Sequence, residues 1–244
     1  MSRILESAFF LSFVVRTVAL FPANSCDSNC SSFTCVPGTF LVKDPAISVC
    51  NLTGYYAFDQ GGFLTDSSVS QVNLAVYLSL AGDTAPVQSS SCLFSNGCAS
   101  FSTGGFKAGN LRIVAGQGLS ICSWYQVGAV GTLQWHRLFD FGNGQGVSNI
   151  LLSRHFNSNQ LSFAVFGSAG TAQIADMVVG SNAFAITGQW NHYCLIYDGG
   201  YGFKVYLNGA LGASATVPTV DTALRTSNFI GKSARRVEQR SNHR

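Results

Sequence analysis

The chain has 244 residues and a formal net charge of +3; only 10% of its residues are charged, 12% are aromatic and 26 are glycine. A disordered chain carries more charge and fewer aromatics, and a helical bundle more Glu, Lys and Leu, so this composition points to a turn-rich all-β protein with room for a sizeable core. The excess charge sits in the last eleven residues, where Arg235, Arg236, Arg240 and Arg244 stand against Glu238 (4 − 1 = +3), leaving a neutral body and no basic surface of the kind that reads nucleic acid.

Residues 1–23 open with Arg3, an apolar run over residues 8–15, Arg16, and small residues up to Ala19 and Ala23. This is the layout of a secretory signal peptide, too short for a membrane span, which needs ~20 apolar residues. The alternative is a structural N-terminal strand or helix. Residues 24–50 hold Cys26, Cys30, Cys35 and Cys50 with hardly any apolar run, so this module is expected to be stapled by disulfides; a zinc site has no nearby histidine to support it. Asn51-Leu52-Thr53 and Asn29-Cys30-Ser31 are N-glycosylation sequons, Asn51 being the better placed at a junction.

From residue 55 on, short runs of strand character recur every 8–15 residues without a helical stretch between them. Residues 55–58 read as a first strand and residues 72–80 as an apolar run. Cys92 and Cys98 bracket a loop whose Asn96-Gly97 suits a turn with positive φ, so a local disulfide is expected there. Residues 111–114 and 120–127 follow as strands, then 135–141, 150–154 and 161–166, separated by glycine-rich or polar turns. In residues 190–197, Trp190, His192, Cys194 and Ile196 share one face and Asn191, Tyr193, Leu195 and Tyr197 the other. Residues 203–207 form a second strand, closed by Asn208-Gly209. Cys122 and Cys194 both fall in mid-strand; they either pair, which in the chain-entropy picture contributes roughly 4 kcal/mol, or remain two buried thiols. The pattern predicts an antiparallel two-sheet sandwich.

Several motifs in order, W-x-H-x-x-x-x-Y-D-G from Trp190 to Gly199, K-V-Y-L-N-G-A-L from Lys204 to Leu211, Y-Y-A-F-D from Tyr55 to Asp59, Arg137 to Gly144 and N-F-I-G from Asn228 to Gly231, resemble the laminin-G-like jelly rolls of the concanavalin A-like lectin/glucanase superfamily. The resemblance covers residues 51–231. It implies an all-β, antiparallel jelly-roll sandwich, preceded by the Cys-rich module and followed by a basic tail, residues 232–244. The family continues past this point into a further strand whose sequence is missing here, which leaves an edge near residues 55–58 uncovered. The resemblance also implies a secreted or cell-surface module that binds a glycan or an extracellular protein.

Chemistry is sparse. Past the leader the one glutamate is Glu238, and no strand offers two carboxylates at i and i+2, so a glycoside hydrolase would need aspartates gathered from distant strands. Asp140-Phe141-Gly142 and Gly142-x-Gly144-x-Gly146 imitate phosphate-handling motifs but read as strand end and turn. His136, His155 and His192 have no metal-ligand spacing. For calcium the candidates are Asp59, Asp66 and Asn143, oxygen donors near one rim, against the plainer reading that the aspartates end a strand and cap a turn. For glycan contact they are Trp135, Tyr193, Tyr197 and Tyr206, aromatics whose flat apolar faces suit sugar rings, while Trp124 and Trp190 read as core. A structural spacer with no ligand of its own is the remaining alternative.

Overall fold

The computed structural model describes residues 13–15, 18–22, 54–56, 58, 62–66, 71–90, 92, 97–113, 118–127, 136–156, 158–168, 173–179, 188–200, 202–216 and 220–233. Among them the regular elements are strands: β1 (Phe13–Val15), β2 (Val18–Pro22), β3 (Gly54–Tyr56), β4 (Ala75–Tyr77), β5 (Val87–Ser89), β6 (Cys98–Phe101), β7 (Gly105–Ala108), β8 (Leu111–Ile113), β9 (Leu119–Val127), β10 (Arg137–Gly142), β11 (Ile150–Arg154), β12 (Leu161–Phe166), β13 (Gln173–Val179), β14 (Trp190–Tyr197), β15 (Gly202–Leu207), β16 (Ala210–Thr216), β17 (Ala223–Arg225) and β18 (Ser227–Ile230). One sheet runs β16-β15-β14-β9-β1-β6-β5, with β2 joining β9 to β3; the other runs β13-β12-β11-β10-β18-β7-β4; β17 and β8 form a separate ribbon. This is the antiparallel jelly-roll sandwich that the sequence predicts.

The two sheets are held face to face by aromatic and aliphatic side chains that alternate inward, the period of two being what a strand imposes. Phe139 of β10 meets Tyr193 of β14 with ring centroids 6.0 Å apart, Phe163 of β12 meets Phe203 of β15 at 4.8 Å, and Phe101 of β6 meets Phe106 of β7 at 5.1 Å. All six are fully buried. At β10, β11 and β12 both faces are buried, so those strands lie deep in the molecule and read as continuous apolar runs.

The N-terminal run is strand in this structure. β1 pairs with β6 on one side and β9 on the other, and β2 pairs with β9 and with β3, so residues 54–56 are paired along one side by β2. Residues 1–23 thus carry the sequence features of a leader and, over these two segments, the backbone of the structural alternative. The Cys-rich module, its four cysteines, both sequons and residues 234–244 of the basic tail lie outside the described residues; Lys232 and Ser233, the first two of that tail, are described.

Two disulfides are formed. Cys92–Cys98 closes the short loop expected, with Gly97 at φ 115°, and Cys122–Cys194 joins directly opposed residues of β9 and β14 with Cα atoms 4.0 Å apart. The second closes a long loop and on the chain-entropy picture contributes roughly 4 kcal/mol.

Candidate functional site

The two outer faces of the sandwich differ. On the seven-stranded sheet Leu151, Ala164 and Phe166 form a small apolar cluster and are 5–7% exposed, and Asp140 beside them is 1% exposed, so this face is covered. The nine-stranded sheet presents a half-exposed one. In β9, Leu119, Ile121, Tyr125 and Val127 point into the core while Ser120, Cys122, Trp124 and Gln126 are half-buried on the outside. In β14 the outward set is Trp190, His192 and Ile196, with Cys194 tied to Cys122; in β15 it is Lys204 and Tyr206.

Register makes these side chains one surface. His192 stands opposite Trp124 and their rings are 5.2 Å apart. Cys194 lies between Cys122 and Tyr206, Tyr206 stands opposite Leu211, and Ile196 lies between Ser120 and Lys204. The result is an apolar and aromatic surface around a disulfide, rimmed by hydroxyl and amide groups, with Lys204 its one charge among the described residues of β9, β14, β15 and β16. Leu211 at its border is 55% exposed.

Local geometry fixes this surface. Asn208 and Gly209 both have positive φ, 49° and 83°, as a two-residue hairpin turn between right-twisted strands requires. Asn208 is then locked to β14: its N–H donates to the His192 carbonyl at 2.8 Å, its Oδ1 accepts the His192 N–H at 2.8 Å, and its Nδ2 donates to Asn191 Oδ1 at 2.9 Å. At the other end Asp198 Oδ1 accepts the N–H groups of Gly200 at 2.8 Å and Gly202 at 3.1 Å, which holds its carboxyl below the usual carboxylate range. Partial burial pushes the His192 imidazole below its ordinary 6.5, so at neutral pH it is an uncharged donor and acceptor.

The sequence candidates divide. Tyr206 is on this surface. Tyr193 and Tyr197 are not: they are 1% and 0% exposed, because their parity in β14 turns them into the core, where Tyr197 stacks on Phe203 with centroids 4.6 Å apart. Trp124 and Trp190, read from sequence as core, are half-buried on the outer side. Trp135 lies outside the described residues.

Two of the three calcium candidates lie in the described residues. Asp66 is 3% exposed and its Oδ2 accepts the Val72 N–H at 2.9 Å; Asn143 Oδ1 accepts the Thr226 N–H at 2.9 Å. Asp59 lies outside the described residues, and among those described no group of three or more His, Cys, Asp or Glu is placed to hold a metal ion. Asp66 and Asn143, the two described donors, each give one oxygen to a backbone N–H.

Other carboxylates also have structural work. Asp83 holds Lys232 Nζ at 2.9 Å together with two backbone N–H groups, and Asp140 Oδ1 accepts Asn149 Nδ2 at 2.6 Å. Asp221 belongs to a buried node that the sequence reading missed: Arg225, 0% exposed, donates from Nε to the Ser148 carbonyl at 2.8 Å and from Nη2 to Asp221 Oδ1 at 3.3 Å, and Ser148 Oγ donates to Asp221 Oδ2 at 2.5 Å.

Residues 101–242, more than half of the chain, match the laminin G family model of the concanavalin A-like lectin/glucanases superfamily. The chain belongs to this family. No curated protein sequence matches it. Among solved structures it is similar to the binding domain of Paraclostridial Mosquitocidal Protein 1 (14% identity, TM-score 0.43, 69% of this chain and 41% of that one). It is also similar to the botulinum neurotoxin serotype G binding domain (12%, 0.45, 71% and 41%). A third is the carbohydrate-binding module CBM66 from Bacillus subtilis (16%, 0.24, 50% and 86%). The chain spans about two fifths of the length of the two toxin binding domains.

Proposed function

We propose that this chain is an extracellular binding module without catalytic activity, and that it holds a glycan against the outer face of the nine-stranded sheet. The observation that carries this reading is the half-exposed patch of Trp124, His192 and Tyr206 on three adjacent strands, Trp124 opposite His192 and Tyr206 one outward position further along. A pyranose ring has one apolar C–H face and an edge of hydroxyls. Such a ring matches an indole or phenol plane beside a neutral imidazole and a phenolic hydroxyl. The rigid sheet below holds the side chains in place before the ligand arrives, which lowers the ordering cost of binding.

Two disulfides in the described residues fit an oxidising compartment, and the leader signature of residues 1–23 fits export. If export removes those residues at Ala19 or Ala23, it removes all or most of β1 and β2, and the lane between β6 and β9 opens. The intact mass of the secreted chain decides this: a start at residue 20 or 24 supports a cleaved leader, and a start before Phe13 supports retained strands.

The test of function is a glycan array probed with the wild-type protein and with Trp124→Ala, in calcium and in chelator. The reading expects a restricted set of bound saccharides, lost in the variant and unchanged by chelator. Silence of the wild type in both conditions counts against it, and leaves the structural-spacer reading.

A further inference from the structure

Nine large apolar side chains are exposed among the described residues, and five of them, Val72, Val76, Leu78, Leu80 and Val87, fall in one short stretch, each 44–59% exposed. Among the described residues β4 pairs only with β7 and β5 only with β6, and β4 and β5 are consecutive, so residues 71–90 arch over one margin of the sandwich. The arch is braced. Asp83 Oδ2 accepts the Ser79 N–H at 2.8 Å, the Leu80 N–H at 3.0 Å and Lys232 Nζ at 2.9 Å. The Asp83 N–H donates to the Leu80 carbonyl at 3.2 Å and the Thr84 N–H to Thr103 Oγ1 at 2.8 Å, while the Thr84 carbonyl accepts the Gly104 N–H at 3.0 Å. Residues 67–113 hold three charged side chains, Asp83, Lys107 and Arg112. With Asp83 paired to Lys232 the exposed charge is positive: Lys107 stands opposite Ala75, and Arg112 lies three residues past Gly109, against which Val72 packs.

We propose that this margin docks on an anionic lipid bilayer, the aliphatic side chains of residues 72–87 entering the boundary between headgroups and acyl chains and Lys107 and Arg112 meeting lipid phosphates. A lipid surface offers little water to a segment that enters it, so backbone groups there must already have partners. At the tip of the arch the N–H groups of Ser79, Leu80, Asp83 and Thr84 have theirs within the protein, and the one carboxylate is held by Lys232. Interfacial binding grows with the apolar area buried and with the attraction of Lys and Arg to anionic lipid, and this margin supplies both. A protein partner suits it less, because protein interfaces are anchored by aromatic and arginine side chains, whereas the five exposed anchors are valine and leucine. The proposal does not rest on the glycan reading: Trp124, His192 and Tyr206 belong to β9, β14 and β15, which β1 and β6 separate from β5 in the nine-stranded sheet.

The test is flotation of the full chain with vesicles of phosphatidylcholine, alone and mixed with phosphatidylserine, without any saccharide. The wild type is expected to float with the mixed vesicles. Leu80→Ser combined with Val87→Ser is expected to weaken that partition about tenfold. Lys107→Gln is expected to weaken it about fivefold on the mixed vesicles and to leave the weaker partition to phosphatidylcholine unchanged. Each variant changes exposed side chains, so its melting temperature should stay that of the wild type. A wild type that remains in the soluble fraction, or a double variant that floats as well as the wild type, overturns the proposal. So does light scattering that shows the wild type associating into larger species, lost in the double variant, with no vesicle binding: the margin is then a protein interface.

Discussion

Trp124 and His192 face each other across β9 and β14, their rings 5.2 Å apart, and both point away from the core. The inward neighbours of the same strands, Tyr125 and Tyr193, are buried against each other with centroids 5.9 Å apart. If the outer face binds a saccharide as proposed, the two pairs separate binding from stability. Alanine at Trp124 or Tyr206 is expected to weaken saccharide binding about tenfold, the equivalent of ~1.4 kcal/mol, with little change in melting temperature. Alanine at Tyr193 costs ~3–5 kcal/mol of stability, as for other large buried aromatics. Calorimetric titration and thermal unfolding of the same variants check both. Because the His192 imidazole is held below its ordinary value, binding should be flat from pH 8 to pH 7.5.

Gly231 follows β18 with φ 72°, and a Cβ built on it would lie 2.4 Å from Cδ1 of the Phe101 ring. Gly231→Ala therefore meets two obstacles, a left-handed backbone and a fully buried ring with no room to withdraw. The expected loss is ~2–4 kcal/mol, read from urea midpoints. A loss under about 1 kcal/mol, the size of the backbone effect alone, contradicts the packing described.

His136 precedes β10, and both its ring nitrogens are buried without a hydrogen-bond partner among the described residues. Burial, then the nearby Arg154 and Arg137, push its pKa from 6.5 down to about 4. The folded chain keeps this ring neutral where the unfolded chain protonates it. Its contribution is therefore present above pH 6.5 and is lost as pH falls from there towards 4. His136→Gln should flatten that part of the stability profile, measured by denaturant unfolding between pH 7 and pH 5. An unchanged slope rules out His136 as its source.

Among the described residues Arg225 is the largest fully buried side chain, and its guanidinium links Ser148, whose φ is 55°, to Asp221. Arg225→Met strips this node of its guanidinium donors and leaves Asp221 Oδ1 without that charge. A loss of ~3 kcal/mol is expected. Adding Asp221→Asn should cost less than the sum of the two single changes, since the residues share one network.

Strands with strong alternation were legible from the sequence: β11 and β12 fall on their expected residues, β14 on residues 190–197, and β9 and β15 within one residue. Alternation comes from burial of one face, so it fades where neither face is buried. β16, with alanine, glycine and serine at an exposed edge, gave no such signal. β7 hid inside a glycine-rich stretch because Gly105 lies against Lys232 and the Ile230 carbonyl, where a side chain would not fit. The parity of residues 190–197 is as expected, but Trp124 and Trp190, expected in the core, stand half-buried on the outer side, while Tyr193, Leu195 and Tyr197 fill the core. Arg225 and Ser148 are 77 residues apart in the chain, and no local pattern announces a contact of that range.

The most direct test is hydroxyl-radical footprinting of the native protein with and without a saccharide selected on the array. Trp124 and Tyr206 should be oxidised in the free protein and protected on binding, while Tyr193 and Tyr197 stay unmodified in both states. Protection confined to other residues, or oxidation of Tyr193 at a rate like that of Trp124, contradicts the account.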